Sequence, residues 1–151
     1  MRITWFISAI AAIGLAASVS AQQADQSTWQ EIKALMDGYN DTFNKQDAAG
    51  IARFWATDGV SLLVTEFFTG SLSGPQQIEN YYRGLFKPNQ HSDQFVERVW
   101  PSGTDGAIAM GSWLETVGDT KSGGHWTAAY AREGNGWKIR LITWVPNPPS
   151  R

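Results

Sequence analysis

The side chains best suited to acid–base chemistry are one glutamate and two histidines. Glu66 stands beside two phenylalanines at the end of an apolar run, where an apolar setting would raise the pKa of its carboxyl and make it a base. His91 lies in a polar segment after a predicted helix, and histidine titrates near neutral pH. His125 is expected to point away from the interior by strand alternation. Glu66 and His91 are therefore the candidate bases, and the alternative for each is an ordinary solvated side chain.

Several other chemistries are excluded or unsupported. Cysteine is absent, so thiol nucleophiles and thiolate metal sites are ruled out. The two histidines have no partner at metal-ligand spacing, and we expect neither a metal nor a cofactor. A G-x-S-x-G nucleophile motif is missing, and the glycine-containing segment 70–76 lacks the lysine of a phosphate-binding loop.

The charge pattern limits the partners. The chain has 12 Lys and Arg against 14 Asp and Glu, a net charge of -2, and the basic residues are scattered singly. Without a basic patch, nucleic acid is not expected as a partner. The eight tryptophans can build a core, line a cavity or form an interface.

The N-terminus is typical of a secretory signal. Arg2 gives a positive start, residues 3–19 are mostly apolar, and Val19-Ser20-Ala21 offers small residues at a cleavage site. We therefore predict a signal peptide over 1–21, and a periplasmic or secreted domain with no stable membrane insertion after cleavage. The alternative is an uncleaved anchor, although the run is short for a membrane span.

The chain after the signal predicts three helices. Residues 22–27 are expected to be disordered, and Thr28 with Glu31 fits a capping box that opens the first helix, which runs to about Lys45. Asp47 can cap a short second helix, and Pro75 suits the first turn of a third. Their predicted inward residues are Ile32, Leu35, Met36, Tyr39 and Phe43, then Ile51, Phe54 and Trp55, then Ile78, Tyr81, Tyr82, Leu85 and Phe86.

Strands dominate the rest of the chain. The segment 60–68 is apolar and β-branched, and from residue 94 onward the period changes to two. The predicted strands are 60–68, 95–100, 107–116, 124–132 and 137–144. Helices followed by antiparallel strands indicate an α+β fold, with one domain over 28–145 and a tail over 146–151.

A series of short motifs resembles a known family. Asp47, Ile51, Phe54, Ala56 and Asp58-Gly59-Val60 form D-x-x-x-I-x-x-F-x-A-x-D-G-V; Gly74 and Ile78 form G-x-x-x-I; and residues 134–139 read G-x-G-W-K-I. In this order they are similar to the nuclear transport factor 2-like superfamily, more narrowly to its SnoaL-like bacterial members, and more remotely to ketosteroid isomerase. The resemblance covers nearly all of residues 28–145. It implies three helices packed on a strongly curved, mostly antiparallel sheet, a cone with a pocket at one end, and usually a homodimer.

The resemblance also suggests a catalytic donor. Aligned through the motif at Asp47, Tyr39 falls where ketosteroid isomerase places its oxyanion tyrosine. Leu63 occupies the position of the catalytic base, and Ala128 falls near the second donor. Steroid-type isomerisation by that mechanism is therefore not expected, and Tyr39 has core packing as its alternative role.

Alternation applied to the same alignment predicts the lining of the cone. Met110, Ser112 and Leu114 are expected inward on one strand, Trp126, Ala128 and Tyr130 on the next, and Leu141 and Thr143 on the last. Ile142 and Trp144 are then outward and form a candidate dimer face. The predicted ligand-binding residues are Tyr39, Phe43, Trp55, Tyr82, Met110, Ser112, Leu114, Trp126, Tyr130 and Thr143.

Three functions follow as hypotheses. The first is an exported domain that binds a small apolar or aromatic molecule in the cone. The second is a cofactor-independent isomerase, lyase or cyclase, with Tyr39 as hydrogen-bond donor and Glu66 or His91 as base. The third is a non-enzymatic homodimeric association domain, favoured if side chains fill the cone.

Overall fold

The helices of the domain begin and end close to the predicted positions, with two exceptions. The computed structural model describes residues 10–64 and 69–148, with side chains over 26–63 and 69–148. The helices are α1 (Ile10–Asn44), α2 (Ala48–Ala52) and α3 (Gly74–Leu85). Because α1 already begins at Ile10, Thr28 lies inside the helix, and the predicted capping box is wrong. Residues 22–27 likewise lie within α1.

The second exception is the end of α2. Asp47 caps this helix as predicted, its carboxylate accepting from Gly50 N at 2.8 Å. The helix ends at Ala52 because Arg53 N and Phe54 N turn back to carbonyls three residues earlier. The Phe54 carbonyl then accepts from Ile139 N at 2.8 Å, so Trp55 begins a strand instead of completing the helix.

Six strands form a single curved sheet. They are β1 (Trp55–Val64), β2 (Thr69–Ser73), β3 (Gln90–Ser102), β4 (Gly106–Val117), β5 (Thr120–Glu133) and β6 (Gly136–Pro146). The sheet order is β2-β1-β6-β5-β4-β3. Only the β1–β6 pair is parallel among these strands. The α+β class and the mostly antiparallel sheet are therefore confirmed.

The helices pack on the inner face of this sheet. The predicted stripe of α1 is correct: Ile32, Met36, Tyr39 and Phe43 are all at most 4% exposed. In its first half, β4 presents only small residues on the same face, Ala107, Ala109 and Gly111, each buried. Small side chains let the helix approach the sheet closely, so this part of the interior is solidly packed.

Two asparagines on α1 cover the edge of the sheet. Asn40 donates to the Gln94 carbonyl at 3.0 Å and accepts from Gln94 N at 2.8 Å. Asn44, one turn later, makes the same pair with the backbone of Ser92, at 3.0 and 2.8 Å. Because β3 is an edge strand, these groups would otherwise lack a ladder partner. The Asn40–Asn44 pair, which we call the asparagine clamp, thus fastens α1 to β3.

Two tryptophans on the inner face lie against glycines of the neighbouring strand. Trp126 pairs with Gly111, and Trp113 pairs with Gly124. A Cβ on Gly111 would lie 2.6 Å from the Trp126 ring, and one on Gly124 would lie 2.7 Å from Trp113 Nε1. Both glycines are therefore required for close approach of an indole to the backbone.

The predicted orientation of β4 is wrong. Met110 pairs with Thr127 on the outer face, and Leu114 is 59% exposed. Ser112 shares that face, since it pairs with His125. The inward residues of β4 are Ala107, Ala109 and Gly111, followed by Trp113 and Glu115, which line the cavity. The alignment therefore set the alternation of this strand one residue out of phase.

The predicted orientation of β6 fails for a different reason. Trp137 and Ile139 face inward as expected, but the pairing with β5 shifts between Ala129 and Tyr130, which leaves Arg140 as an extra residue. Such a bulge reverses the inward or outward direction of every later side chain on the strand. Leu141 and Thr143 therefore face outward, whereas Ile142 is fully buried and Trp144 faces inward.

Across residues 10–64 and 69–148, no helix is both long and apolar enough to cross a membrane.

Candidate functional site

A cavity lies inside the cone between α1, α3 and the inner face of the sheet. Its volume is about 180 Å³. Aromatic and aliphatic side chains make most of its wall, and the polar groups come mainly from β3 and β4. The lining residues are Tyr39, Phe43, Leu63, Tyr81, Tyr82, Leu85, Ser92, Gln94, Trp113, Glu115 and Trp144. Tyr39, Phe43, Tyr81, Tyr82 and Leu85 come from the helices, and the other lining residues come from the strands.

A tyrosine pair joins the two helical walls. The hydroxyl oxygens of Tyr39 and Tyr82 are 2.5 Å apart, and both residues are at most 5% exposed. Burial is the main cause that raises the pKa of each, and for Tyr39 the neighbouring Tyr82 raises it further. Both hydroxyls therefore stay protonated at neutral pH. Only one hydrogen lies between the two oxygens, so the second hydrogen can be donated to another group.

All four tyrosines of the protein have a raised pKa, with burial as the largest cause. Since the tyrosines of the unfolded chain ionise near their ordinary pKa of 10.0 and those of the folded chain do so only above it, the folded state should lose stability as pH rises above 10. Because only Tyr81 is half-buried, we expect ultraviolet absorbance to show at most one tyrosinate before the protein unfolds. Tyr39→Phe should weaken this pH dependence, and ionisation of a buried tyrosine in the folded protein would contradict it.

Glu115 is the functional candidate that sequence reasoning missed. It was expected to face outward, but it pairs with Ser92 on the inner face of the sheet and lines the cavity. One carboxylate oxygen accepts from Gln90 Nε2 at 2.9 Å. The available signal was the Trp113-Leu114-Glu115 alternation, in which the exposed leucine fixes the inward direction of its neighbours.

The predicted site residues divide into three groups. Tyr39, Phe43 and Tyr82 line the cavity. Trp55, Trp126 and Tyr130 are at most 3% exposed and belong to the surrounding core. The remaining four, Met110, Ser112, Leu114 and Thr143, lie on the outer face, so their predicted inward orientation is wrong.

The candidate bases do not meet Tyr39 among the described residues. The His91 side chain is 60% exposed and pairs with Asp93 at 3.1 Å, on the face of β3 opposite Ser92 and Gln94. Glu66 lies outside the described residues. Within the ranges 10–64 and 69–148 there is also no group of three or more side chains able to hold a metal ion.

A larger groove of about 670 Å³ lies outside the cone, between α1, α2 and the β5–β6 hairpin. Its charged groups are already engaged with one another. Glu31 accepts from Trp137 Nε1 at 2.6 Å and also binds Arg132, and these bonds lower the pKa of its carboxyl. Lys138 binds the Arg53 carbonyl. The groove is therefore a set of satisfied surface contacts, and the aromatic cavity inside the cone is the better candidate site.

Comparison with known proteins places the fold. No protein-family model matches the sequence, and neither does any curated protein. Among solved structures, an NTF2-like protein with a cystatin-like fold from Novosphingobium aromaticivorans aligns over 96% of this chain and 94% of its own, with TM-score 0.68 and 18% identity. A ketosteroid isomerase-like protein from Erwinia carotovora aligns over 80% of this chain and 96% of its own, with TM-score 0.66 and 16% identity. A candidate calcium/calmodulin-dependent protein kinase II association domain from Xanthomonas campestris aligns over 80% of this chain and 88% of its own, with TM-score 0.69 and 21% identity.

These similarities establish the fold. The chain has the nuclear transport factor 2-like, or cystatin-like, α+β fold that its motifs predicted. Since proteins with that fold have unrelated functions, the function must be inferred from the residues of the site. The narrower resemblance to SnoaL-like members stays a prediction.

Proposed function

We propose that this chain is an exported nuclear transport factor 2-like domain, of the SnoaL-like kind, that binds a small apolar or aromatic molecule in its cone. The observation that carries the proposal is the cavity of about 180 Å³ whose wall is built from Tyr39, Phe43, Tyr82, Trp113 and Trp144. Enclosed aromatic surface of this kind favours an apolar guest. Export rests on the apolar N-terminal run ending at Ala21.

Two adjacent leucines on β1 offer a matched test of cavity binding. Leu63 lines the cavity and is 5% exposed, whereas Leu62 is 38% exposed on the outer face. Leu63→Trp should weaken binding of 2-phenylethanol about tenfold or more, about 1.4 kcal/mol, because the indole would occupy the space that the ligand needs. Leu62→Trp should bind as the parent does. Titration calorimetry measures both, with circular dichroism as the check on folding.

Two results would contradict this proposal. If the unmodified protein binds no small aromatic probe, charged or neutral, or if the two tryptophan variants bind such a probe equally, the cavity is not a binding site. The interior would then be packing space of the kind found in any core.

A homodimeric assembly is the second candidate role, and it is supported by the outer face. One row of paired residues runs across five strands and is mostly apolar: Trp100, Ile108, Ala129, Leu141 and Val60. Trp100, Ile108 and Leu141 are 45%, 46% and 39% exposed. Contiguous apolar surface of this extent marks an interface, and we propose a second copy of the chain as its partner. The dimer face expected at Ile142 and Trp144 is wrong, since both face inward.

Assembly can be tested at Ile108. Ile108→Glu places a charge in the middle of the apolar row, so we expect a dimer to become a monomer in sedimentation experiments. Thr104→Glu, on the exposed turn between β3 and β4, should leave the dimer intact. A parent protein that sediments as a monomer would contradict the assembly.

Catalysis has less support than binding. A cofactor-independent isomerase, lyase or cyclase needs a base that converges with the Tyr39 hydroxyl on one ligand atom. His91 points away from the cone, and Glu66 lies outside the described residues. Glu115 is the one carboxylate among the described residues that line the cavity, and we assign it to ligand recognition because it is already bonded to Gln90 Nε2.

A further inference from the structure

We propose that the molecule bound in the cone is a small organic amine, held as its ammonium ion with its apolar or aromatic body among the rings. This inference rests on the proposed binding function and specifies its ligand class. Three features of the cavity support it: the sign of its charge, a buried oxygen on β3 that has no partner within the described ranges, and the nature and size of its wall. The wall also carries two indole N–H donors without a partner among the described residues, Trp113 Nε1 and Trp144 Nε1, so the carboxylate and not the number of hydrogen-bonding groups determines the sign of the ligand's charge.

The charge of the cavity is negative. Glu115 is the single charged side chain among the described residues that line it. Its bond to Gln90 is with a neutral amide at 2.9 Å, and no ion pair to Glu115 occurs in the described parts of the chain. The carboxylate also contributes, after burial, to the raised pKa of Tyr81. A cation would therefore be attracted and an anion repelled.

The hydrogen-bonding groups beside Glu115 include an unused acceptor. Gln94 is 6% exposed and donates its amide to Ser92 Oγ at 3.0 Å, which leaves Gln94 Oε1 buried with no partner among the described residues. An ammonium group has three N–H donors and no acceptor. It could bond the Glu115 carboxylate and Gln94 Oε1 together, and it would satisfy a buried oxygen that otherwise costs free energy.

The aromatic wall suits the same ligand. Phe43, Tyr81, Tyr82, Trp113 and Trp144 surround the space, and aromatic faces attract ammonium groups as well as apolar bodies. A volume of about 180 Å³ is below the roughly 300–1,000 Å³ of sites for drug-sized molecules. The ligand is therefore a compact amine with one short chain or one ring.

Three probes of nearly equal shape distinguish the effect of ligand charge on affinity from that of ligand shape. They are 2-phenylethylamine, 2-phenylethanol and phenylacetate. Calorimetry at neutral pH should show the amine binding about tenfold or more tighter than the alcohol, because a charge-assisted hydrogen bond contributes about 1.5–3 kcal/mol. Phenylacetate should bind weakest. Glu115→Gln should remove the preference for the amine over the alcohol, while Glu97→Gln, at an exposed position of β3, should keep that preference.

The outcomes distinguish a wrong ligand class from a wrong assignment of the cavity as a binding site. If the alcohol binds but the amine binds no tighter, or if the preference survives Glu115→Gln, the ammonium assignment is wrong and cavity binding stands. If none of the three probes binds, both are wrong.

A second measurement covers the case in which Glu115→Gln does not fold. Binding of 2-phenylethylamine to the parent protein should weaken by the same factor as pH rises past about 10, where an alkylamine loses its proton. The alcohol should be followed in parallel, so that a general loss of folding at high pH is recognised by loss of both. Amine binding that is constant across this range, with the alcohol also constant, would overturn the assignment.

Discussion

Gly111→Ala should cost about 3–5 kcal/mol of folding free energy, at the upper end of what one methyl group can do. The added Cβ would lie 1.8 Å from the Phe95 carbonyl oxygen and 2.6 Å from the Trp126 ring. Neither neighbour can move cheaply, because the first is backbone of the paired strand and the second is an indole that is 1% exposed. Since domains are stable by only about 5–15 kcal/mol, chemical denaturation should show a large shift.

Gly84→Ala is the matched control for this substitution. Gly84 is an exposed residue of α3, and a Cβ there meets no atom within 4 Å. Alanine is favoured over glycine in a helix, so this variant should gain about 0.5–1 kcal/mol. Equal stability of the two alanine variants would show that β3 and β4 are less closely paired at Gly111 than the structure has them.

Replacing both residues of the asparagine clamp should have the second large effect. Asn40→Leu with Asn44→Leu removes four hydrogen bonds to the backbone of Ser92 and Gln94. The leucines cannot donate or accept, so the edge groups of β3 lose their partners at about 1–3 kcal/mol for each group that stays buried. We expect a loss of about 3–5 kcal/mol, and association through the uncovered edge. Chemical denaturation and size-exclusion chromatography measure the two effects.

The control for the clamp lies one residue further along the chain, at Asp41 in the last turn of α1 and Lys45 just after its end. Asp41→Leu with Lys45→Leu has the same spacing and the same new side chains, but both positions are exposed and their side chains make no bond to β3. This pair should change stability by less than about 1 kcal/mol. If it is as damaging as the clamp variant, the loss comes from leucine on α1 and not from the edge of β3.

The helices were predictable because each depends on neighbours in sequence. The stripe of Ile32, Met36, Tyr39 and Phe43 follows from a period of 3.6, and Asp47 caps its helix through an amide three residues away. The loss of Trp55 from the second helix was not local. It depends on a hydrogen bond between the Phe54 carbonyl and Ile139 N, 85 residues later in the chain, which no pattern near Trp55 contains.

The strand faces were only partly predictable for the same reason. On β5, Trp126 and Tyr130 point inward as alternation requires. On β6 the extra residue at Arg140 reverses the alternation, and it exists only in the pairing with β5. On β4 the alignment placed the alternation one residue out of phase, and the pairing with β3 and β5 sets the true direction. The error at β4 hid Glu115, and with it the negative group of the cavity.

The contact between Trp113 and Gly124 has a consequence for how this domain can diversify. The indole lies on bare main chain, so neither Trp113 nor Gly124 can be enlarged without moving a strand. On the opposite side Phe43, Tyr81 and Leu85 project from ordinary helical backbone, where one residue can replace another without that cost. New ligands would therefore be accommodated mainly by exchanging helix residues, while the Trp113–Gly124 contact stays constant.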